Sequence, residues 1–145
     1  MNNSIWFHKQ LSVAELQFTN TDTMAAFLEM EWVEIGDNFL VIKMPVTDKS
    51  RQPYGILHGG ASCALAETAG SVGSHLIINS TTHICVGLEI NANHIRSVKE
   101  GFITATARPL HIGSSTHVWD VKITDDAGKL ICVSRLTVAI LAKRD

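Results

Sequence analysis

The sequence is poor in cysteine, in net charge and in long apolar runs, and each shortage excludes a class of protein. Its three cysteines, Cys63, Cys85 and Cys132, are odd in number, widely spaced and set among apolar residues. We expect reduced thiols in a core rather than a disulfide framework, a metal site or a redox pair. The formal net charge of −2 gives no sign of a nucleic-acid or anionic-membrane partner.

Segments that would carry the chain to or through a membrane are also missing. The first residues, MNNSIWFHKQ, lack a basic stretch followed by an apolar one and do not resemble a signal peptide. No run reaches the roughly 18 consecutive apolar residues that a transmembrane helix needs. Apolar residues make up 46% of the chain and charged residues 18%, which is typical of a globular protein. We therefore expect a single cytoplasmic domain over residues 1–145, with no membrane partner.

Helix and strand signals follow one another in an order typical of an α+β domain. LSVAELQF, residues 11–18, predicts a short helix with Ser12 as N-cap and Glu15 closing a capping box. TDTMAAFLEM, residues 21–30, predicts a second short helix capped by Thr21 or Asp22. EWVEI and FLVIKMPVT predict two strands joined by a hairpin turn at GDN, residues 36–38.

The second half of the chain predicts one long helix and then four strands. Residues 59–79 are 21 residues without a proline, and eleven of them are Gly, Ala or Ser. This length favours a helix. The runs HICVGLEINANHI, GFITATARPLHI, STHVWDVKITD and KLICVSRLTVAIL predict the strands. A long helix packed on an antiparallel sheet of about six strands is the economical α+β solution.

The predicted long helix carries one formal charge, Glu67, among small and apolar residues. Burying a carboxylate without a partner is costly, so Glu67 either faces solvent, pairs with an arginine such as Arg96 or Arg135, or acts chemically. The helix starts at the HGG of residues 58–60, where two glycines leave the first N–H groups open to an anion or an oxyanion. With Ser71 one turn beyond Glu67, these groups suit hydrolysis of an activated carbonyl.

RQPYGILHGGASCALAETAGS, residues 51–71, resembles the signature of the hotdog-fold acyl-CoA thioesterases. It is most similar to the bacterial subgroup that acts on aromatic acyl groups, whose motif runs Q-P-x-G-x-x-H-G-G-x-x-x-x-L-A-E-x-x-G-S. The likeness covers nearly the whole chain, through CVGLEINANHIRSV and PLHIG to CVSRLTVAIL. It implies a hotdog fold, a homotetramer built as a dimer of dimers, an acyl-CoA or acyl-carrier-protein substrate, and no metal or other cofactor.

The resemblance also implies roles for five residues of the long helix and of the loop before it. Glu67 is the carboxylate that either attacks the thioester carbonyl or activates a water. The Gly59 N–H polarises the thioester oxygen, while His58, aided by Gln52, orients the substrate or assists the leaving thiolate. Ser71 holds the water or the substrate. Each site is expected to combine His58 of one subunit with Glu67 of another.

The resemblance places the CoA arm along three further stretches of the chain. They are Gly87, then His94, Ile95, Arg96 and Ser97, then the turn of His111, Ile112, Gly113, Ser114, Ser115 and Thr116. His94 also lines the acyl site, and Arg96 is expected to pair with phosphate oxygens. The chain departs from the family pattern at Ser114, where close relatives carry Arg, and at Ser97, where they often carry Pro. Arg108 and Arg135 are possible substitutes.

Three other interpretations of these residues stay open at the level of sequence. Hotdog dehydratases also pair a histidine with a carboxylate, to remove water from a 3-hydroxyacyl thioester. An acyl-CoA binding module retains the fold without turnover. Gln52, His58, Glu67 and Ser71 together favour the hydrolase over both. Cys63 is a third, weak candidate as nucleophile because no histidine has a clear claim to activate it. The seven histidines show no H-x-H or H-E-x-x-H spacing, which gives no support for zinc.

Overall fold

The computed structural model describes residues 3–144. A 3-10 helix at Val13–Asn20 is followed by the one-turn helix α1 (Met24–Phe27). The strands β1 (Glu31–Ile35) and β2 (Leu40–Pro45) precede the long helix α2 (Gly59–Ile77). The last four strands are β3 (His83–His94), β4 (Phe102–Ile112), β5 (Thr116–Asp125) and β6 (Leu130–Ala142). Across the described residues, none of these helices has the length and apolar character needed to cross a membrane.

All six strands belong to one antiparallel sheet with the order β1-β2-β4-β5-β6-β3. The edge strand β3 pairs with β6, from His83 opposite Ala142 to His94 opposite Cys132. The register of this pair shifts between Gly87 and Glu89. Helix α2 lies against one face of the sheet and contacts β2 to β6. The predicted arrangement of one long helix on about six antiparallel strands is therefore confirmed.

Small residues on α2 let the helix approach the sheet closely. A Cβ added at Gly73 would lie 2.6 Å from the Trp119 ring of β5, and one at Gly70 would lie 3.2 Å from the same side chain. Trp119 is 0% exposed, and so is Leu65 of α2. Burying an aromatic side chain of this size contributes about 3 kcal/mol to the free energy of unfolding. The run of glycine, alanine and serine in α2 thus serves close packing.

The first predicted helix is present, but as a 3-10 helix that starts and ends two residues later than expected. The Ser12 N–H donates to Glu15 Oε2 at 2.6 Å, so the carboxylate half of the expected capping box is formed. Further along, the Trp32 Nε1–H donates to Thr19 Oγ1 at 2.9 Å. This bond to the body of the protein keeps the chain ordered past Phe18, where the predicted helix ends.

The second predicted helix is shorter than expected and has a different cap. Thr23 is its N-cap and accepts a hydrogen bond from the Ala26 N–H at 3.3 Å, so the expectation of Thr21 or Asp22 is wrong. Asp22 has a φ of 53°, in the left-handed region, whereas an N-cap is extended. Glu29, with a φ of 58°, marks the other end of this turn.

Candidate active site

His58 caps the N-terminus of α2 with its side chain. Its backbone is extended, and its Nδ1 accepts a hydrogen bond from the Gly60 N–H at 2.8 Å. A ring nitrogen that accepts a hydrogen bond carries no proton, so this neutral imidazole is protonated at Nε2. Because His58 is exposed, the Nε2–H is free to donate to a bound molecule.

Gly59 offers a backbone donor at the first residue of α2. Its N–H has no acceptor among the residues that the structure describes. The 19-residue helix behind it adds about half a positive charge at this end. A Cβ at position 59 would lie 2.6 Å from His94 Nε2, so glycine is what lets the His94 ring rest against the helix start. This combination suits a developing oxyanion.

Gln52 lies in the turn that precedes α2, and a hydrogen bond fixes the direction of its amide group. Its Oε1 accepts from the Tyr54 N–H, and its carbonyl accepts from the Gly55 N–H at 2.9 Å. Gly55 has a φ of 77°, which glycine adopts without strain. Since the Oε1 is engaged, the amide NH2 is the group that Gln52 presents to the cavity it lines.

Gln52 and Gly59 border a cavity of about 310 Å³ at the N-terminal end of α2, and His58 is the residue before Gly59. Its lining consists of Gln52, Ile56, Leu57, Gly59, Ser62, His94, Ile95, Arg96, Ser97 and Ile131. The Arg96 guanidinium is exposed and forms no salt bridge within residues 3–144. An arginine without an acidic partner is able to bind phosphate. The structure thus brings together Gln52, Gly59 and residues 94–97.

Glu67 lies elsewhere on α2, eight residues beyond Gly59 and about 12 Å further along the helix axis. It lines a second cavity, of about 280 Å³, with Met24, Ala64, Thr68 and Ser71. Gly87 of β3 lies against the carboxylate, and a Cβ there would overlap Oε1 and lie 3.3 Å from Cδ. Glycine at position 87 therefore lets the Glu67 carboxylate rest against the edge strand.

A single thioester carbonyl cannot contact both the Gly59 N–H and the Glu67 carboxylate of one chain. Such contacts are about 3 Å long, whereas the backbones of Gly59 and Glu67 are about 12 Å apart along the helix and the Glu67 carboxylate lies against Gly87 of β3. The two cavities share no lining residue. The predicted catalytic residues therefore fall into two groups, with Gln52, His58 and Gly59 in one and Glu67 and Ser71 in the other.

The turn at residues 111–116 lies at the opposite end of α2. Ile112, Gly113 and Ser114 line a cavity of about 330 Å³ with residues that follow the helix, including Ile78. The length of α2 puts this cavity about 27 Å from the start of the helix. Within one chain, the structure does not bring residues 111–116 together with residues 94–97.

The two arginines considered as substitute phosphate ligands have other surroundings. The Arg108 guanidinium lies 4.3 Å from the centre of the Phe39 ring and donates to Asn38 Oδ1 at 3.3 Å. Arg135 is exposed on β6, opposite Asp120 of β5. Neither lines the cavity that contains Arg96.

A buried polar network near the C-terminal end of α2 escaped the sequence analysis. The Trp119 Nε1–H donates to Ser74 Oγ at 2.9 Å, and the same oxygen lies 3.0 Å from His117 Nδ1. Burial lowers the pKa of His117, a hydrogen bond to the Gly113 carbonyl raises it, and the charge of His111 lowers it. The alternation of side chains between the two faces of strand β5 is the one sequence signal that puts His117 and Trp119 on the buried face of the sheet. Nothing in the sequence linked them to Ser74.

The thiols have the character of core residues rather than nucleophiles. Burial raises the pKa of the Cys63 thiol, and the charge of Glu67 raises it further. Burial, together with Cys63, raises the pKa of Cys132 to about 11. Both thiols are therefore protonated at neutral pH, which disfavours attack on a carbonyl. In the described part of the chain, no group of three or more His, Cys, Asp or Glu residues is arranged to hold a metal ion.

Comparison with known proteins agrees with the fold described above. A family model described as "Thioesterase superfamily" matches residues 54–132. The 1,4-dihydroxy-2-naphthoyl-CoA hydrolase of Escherichia coli is 45% identical over 94% of this chain and 99% of its own. A crystal structure of a Pseudomonas aeruginosa thioesterase, with one glutamine changed to alanine, has a TM-score of 0.93 and 38% identity, covering 97% of this chain and 100% of its own. A Haemophilus influenzae thioesterase has a TM-score of 0.90 and 37% identity over 95% of both chains.

Proposed function

The chain belongs to the thioesterase superfamily, and we propose that this thioester hydrolase cleaves an aromatic or medium-chain acyl-CoA to the free acid and CoA. Its long helix on a six-stranded antiparallel sheet is the hotdog fold. The observation that carries the proposal is the Gly59 N–H, which lacks an acceptor within residues 3–144 and lies at the start of a long helix. Such a donor stabilises the charge that develops on a thioester oxygen.

In this proposal, each active site has two halves from different chains, and the residues around Gly59 supply the rest of one half-site. The Gln52 amide NH2 is a second donor for the thioester oxygen, since its Oε1 is held by the Tyr54 N–H. The His58 Nε2–H assists the departing thiolate, because its Nδ1 is occupied by the Gly60 N–H. The similarity to a naphthoyl-CoA hydrolase supports an aromatic acyl group beside these donors.

The carboxylate of each site comes from a second chain in this proposal. The outer edge of β3 is unpaired within residues 3–144, which favours edge-to-edge pairing of two copies. A two-fold axis at that edge sets the two α2 helices antiparallel on the same face of a continuous sheet. Gly59 of one protomer then faces Glu67 of the partner subunit, and Ser71 lies one turn further along. We propose that two such dimers form a homotetramer.

Two routes lead from this arrangement to the same products. In the first, a Glu67 oxygen attacks the carbonyl carbon, the C–S bond breaks, the thiolate takes a proton, and water hydrolyses the resulting anhydride. In the second, Glu67 takes a proton from a water that attacks the carbonyl, and the C–S bond breaks in the same way. Borohydride quenching during turnover separates them, because it reduces an anhydride at Glu67 to an alcohol that peptide mass spectrometry detects. The second route leaves Glu67 unmodified.

The CoA arm is proposed to use residues from more than one chain. Gly87 and residues 94–97, with the exposed Arg96, lie near the two half-sites, while His111 to Thr116 lie about 27 Å from Gly59 of the same chain. A neighbouring subunit is therefore the source of one of these stretches. A serine at position 114 weakens phosphate binding by about 1 kcal/mol relative to an arginine, which allows an acyl-carrier protein as the alternative thiol carrier. Three free thiols support a reducing, cytoplasmic setting.

Thiol release from benzoyl-type, medium-chain and long-chain acyl-CoAs tests the proposed function. We expect Glu67→Gln to lower kcat by about 10² to 10⁴ while the unfolding temperature stays near that of the wild type. Near-wild-type turnover in this variant would refute the assigned role of Glu67. Enoyl product from a 3-hydroxyacyl-CoA, without thiol release, would instead establish a dehydratase. Tight acyl-CoA binding without turnover would establish a binding module.

A further inference from the structure

The turn between β4 and β5, residues 113–115, ends in two serines that are exposed. Within residues 3–144, the backbone N–H groups of Ser114 and Ser115 have no acceptor. The turn is closed by the Gly113 N–H, which donates to the Thr116 carbonyl at 2.9 Å. Ser114 carries no positive charge, so these two N–H groups and the serine hydroxyls are what the turn offers to an anion.

His117, the second residue of β5, holds the base of this turn. It is 1% exposed, and its imidazole hydrogen-bonds the Gly113 carbonyl. Its Nδ1 lies 3.0 Å from Ser74 Oγ on α2. That oxygen accepts the Trp119 Nε1–H at 2.9 Å, so the Ser74 O–H is able to donate to Nδ1 and leaves the ring N–H for the Gly113 carbonyl. One side chain thus connects the turn to α2.

The part of α2 that His117 contacts is rigid. Ser74 and Trp119 are both 0% exposed. A Cβ added at Gly73 would lie 2.6 Å from the Trp119 ring, so this ring fills the space between the helix and the sheet. Close-packed side chains of this kind do not move without opening the core. Ser74 and Trp119 are therefore a fixed support for the His117 imidazole.

The peptide group between Gly113 and Ser114 carries the effect of His117 to the surface. This group is planar and trans, so its carbonyl and its N–H point in opposite directions. The carbonyl is held inward by the buried His117, which turns the Ser114 N–H outward to solvent. The direction of an exposed donor therefore depends on a side chain that is itself buried.

We infer that His117 is a positioning residue, which directs the Ser114 N–H toward a phosphate oxygen of the CoA arm. The inference rests on the proposed function, in which residues 111–116 bind that arm. His117 holds the Gly113 carbonyl inward, and the N–H of the same peptide group forms a charge-assisted hydrogen bond with the phosphate. This bond contributes equally to the ground state and the transition state, because it is remote from the thioester. Its loss should therefore appear in the KM of substrates that contain CoA and not in kcat.

The discriminating quantity is the KM of benzoyl-CoA compared with that of S-benzoyl-N-acetylcysteamine, which has the same thioester and no phosphate. We expect His117→Leu to raise the KM of benzoyl-CoA about 10-fold at unchanged kcat, because one hydrogen bond to a charged group is lost. The KM of the short thioester should not change. His117→Gln is expected to stay near the wild type on both substrates, since its amide supplies both a donor and an acceptor.

A second variant removes the donor itself. Ser114→Pro lacks the N–H and is expected to raise the KM of benzoyl-CoA by the same factor. Combined with His117→Leu it should cause no further rise, because both changes remove the same bond. The matched control is Val121→Ala, since Val121 is 0% exposed on the same strand and pairs with Ala107 and Ser134, away from the turn. This control destabilises β5 and should leave both KM values unchanged.

The inference is overturned if His117→Leu leaves the KM of benzoyl-CoA unchanged or raises the KM of both substrates equally. It is also overturned if Val121→Ala causes the same rise, or if the effects of His117→Leu and Ser114→Pro add. If His117→Leu does not fold, Ser114→Pro decides, because an unchanged KM of benzoyl-CoA in that variant contradicts the assigned role of the N–H. If the wild type hydrolyses neither thioester, the proposed function fails by itself. Titration calorimetry with CoA then decides, since His117→Leu must still weaken CoA binding about 10-fold.

Discussion

Replacing Gly87 with alanine tests how closely the Glu67 carboxylate is held against β3. The added Cβ would lie 3.3 Å from Glu67 Cδ and would overlap Oε1. Ordinary van der Waals separation requires that oxygen to move by roughly 1 Å. Because the obstacle is the free end of a flexible side chain, rotation of the carboxylate relieves the overlap without moving the backbone.

This displacement is expected to harm catalysis far more than stability. A shift of about 1 Å in a reacting group costs about 10² in rate, so kcat should fall by that factor. Alanine is tolerated in a strand, and the free energy of unfolding should change by less than about 1 kcal/mol. That corresponds to a shift of less than about 4 °C in Tm. Thiol release and thermal unfolding of the same preparation measure the two effects.

A double variant tests whether the loss of activity in Gly87→Ala comes from displacement of the Glu67 carboxylate. Glu67→Ala removes the obstructing oxygen, so adding Gly87→Ala to it should cost no further activity and no stability. Cys85→Ala is the neighbouring control on β3. Within residues 3–144 the Cys85 thiol makes one hydrogen bond, to the Ser71 carbonyl at 3.6 Å, and otherwise packs against the core, so turnover should stay near that of the wild type. The reasoning is refuted if Gly87→Ala raises KM at constant kcat, since Gly87 would then act on the CoA arm.

Four further predictions concern the helix cap, the buried network and the Cys132 thiol. His58→Ala should lower the free energy of unfolding by about 1 kcal/mol, because the N-cap of α2 is lost. His58→Asn should keep the Tm of the wild type and lose turnover, and equal losses of Tm in the two variants would contradict this prediction. Ser74→Ala should lower the free energy of unfolding by about 2–4 kcal/mol in urea, because two buried partners lose their bond. The pKa of His117 is lowered in the folded protein. The free energy of unfolding should therefore fall as the pH drops from about 6.5 toward that lowered pKa. His117→Gln should make the free energy of unfolding, measured in urea, less dependent on pH over this range. Because the pKa of Cys132 is raised to about 11, iodoacetamide at pH 7.5 should label it, by mass spectrometry, only after unfolding.

The long helix and the six strands could be predicted because the local sequence signals and the tertiary structure agree in these segments. The glycines at the start of α2, the absence of proline from that helix and the alternating strands all point to the observed arrangement. The cap of α1 could not be predicted, because Thr21, Asp22 and Thr23 are all good N-cap residues. The choice among them depends on how the preceding helix is anchored by the Trp32–Thr19 bond, which spans 13 residues and leaves no local signal.

The candidate site could be predicted as a set of residues but not as a geometry. The motif identified Gln52, Gly59 and Glu67, and it carried no information on the distance between them. That distance follows from the rise of a straight helix, which holds Gly59 and Glu67 about 12 Å apart. The neighbour of Glu67, Met24, could not be found from sequence, because it lies on a different element and no pattern links the two.

The spacing of Gly59 and Glu67 gives a physical reason for the proposed two-chain site. A carboxylate in the first turn of α2 would bind the free N–H groups at the positive end of its own helix. It would then occupy the donors that the thioester oxygen needs in the proposed function. Glu67 lies more than two turns away and cannot cap its own helix. The donors at Gly59 therefore stay open until substrate arrives. In the proposed function, the carboxylate that reaches a carbonyl bound there therefore comes from another helix, the antiparallel α2 of the partner subunit.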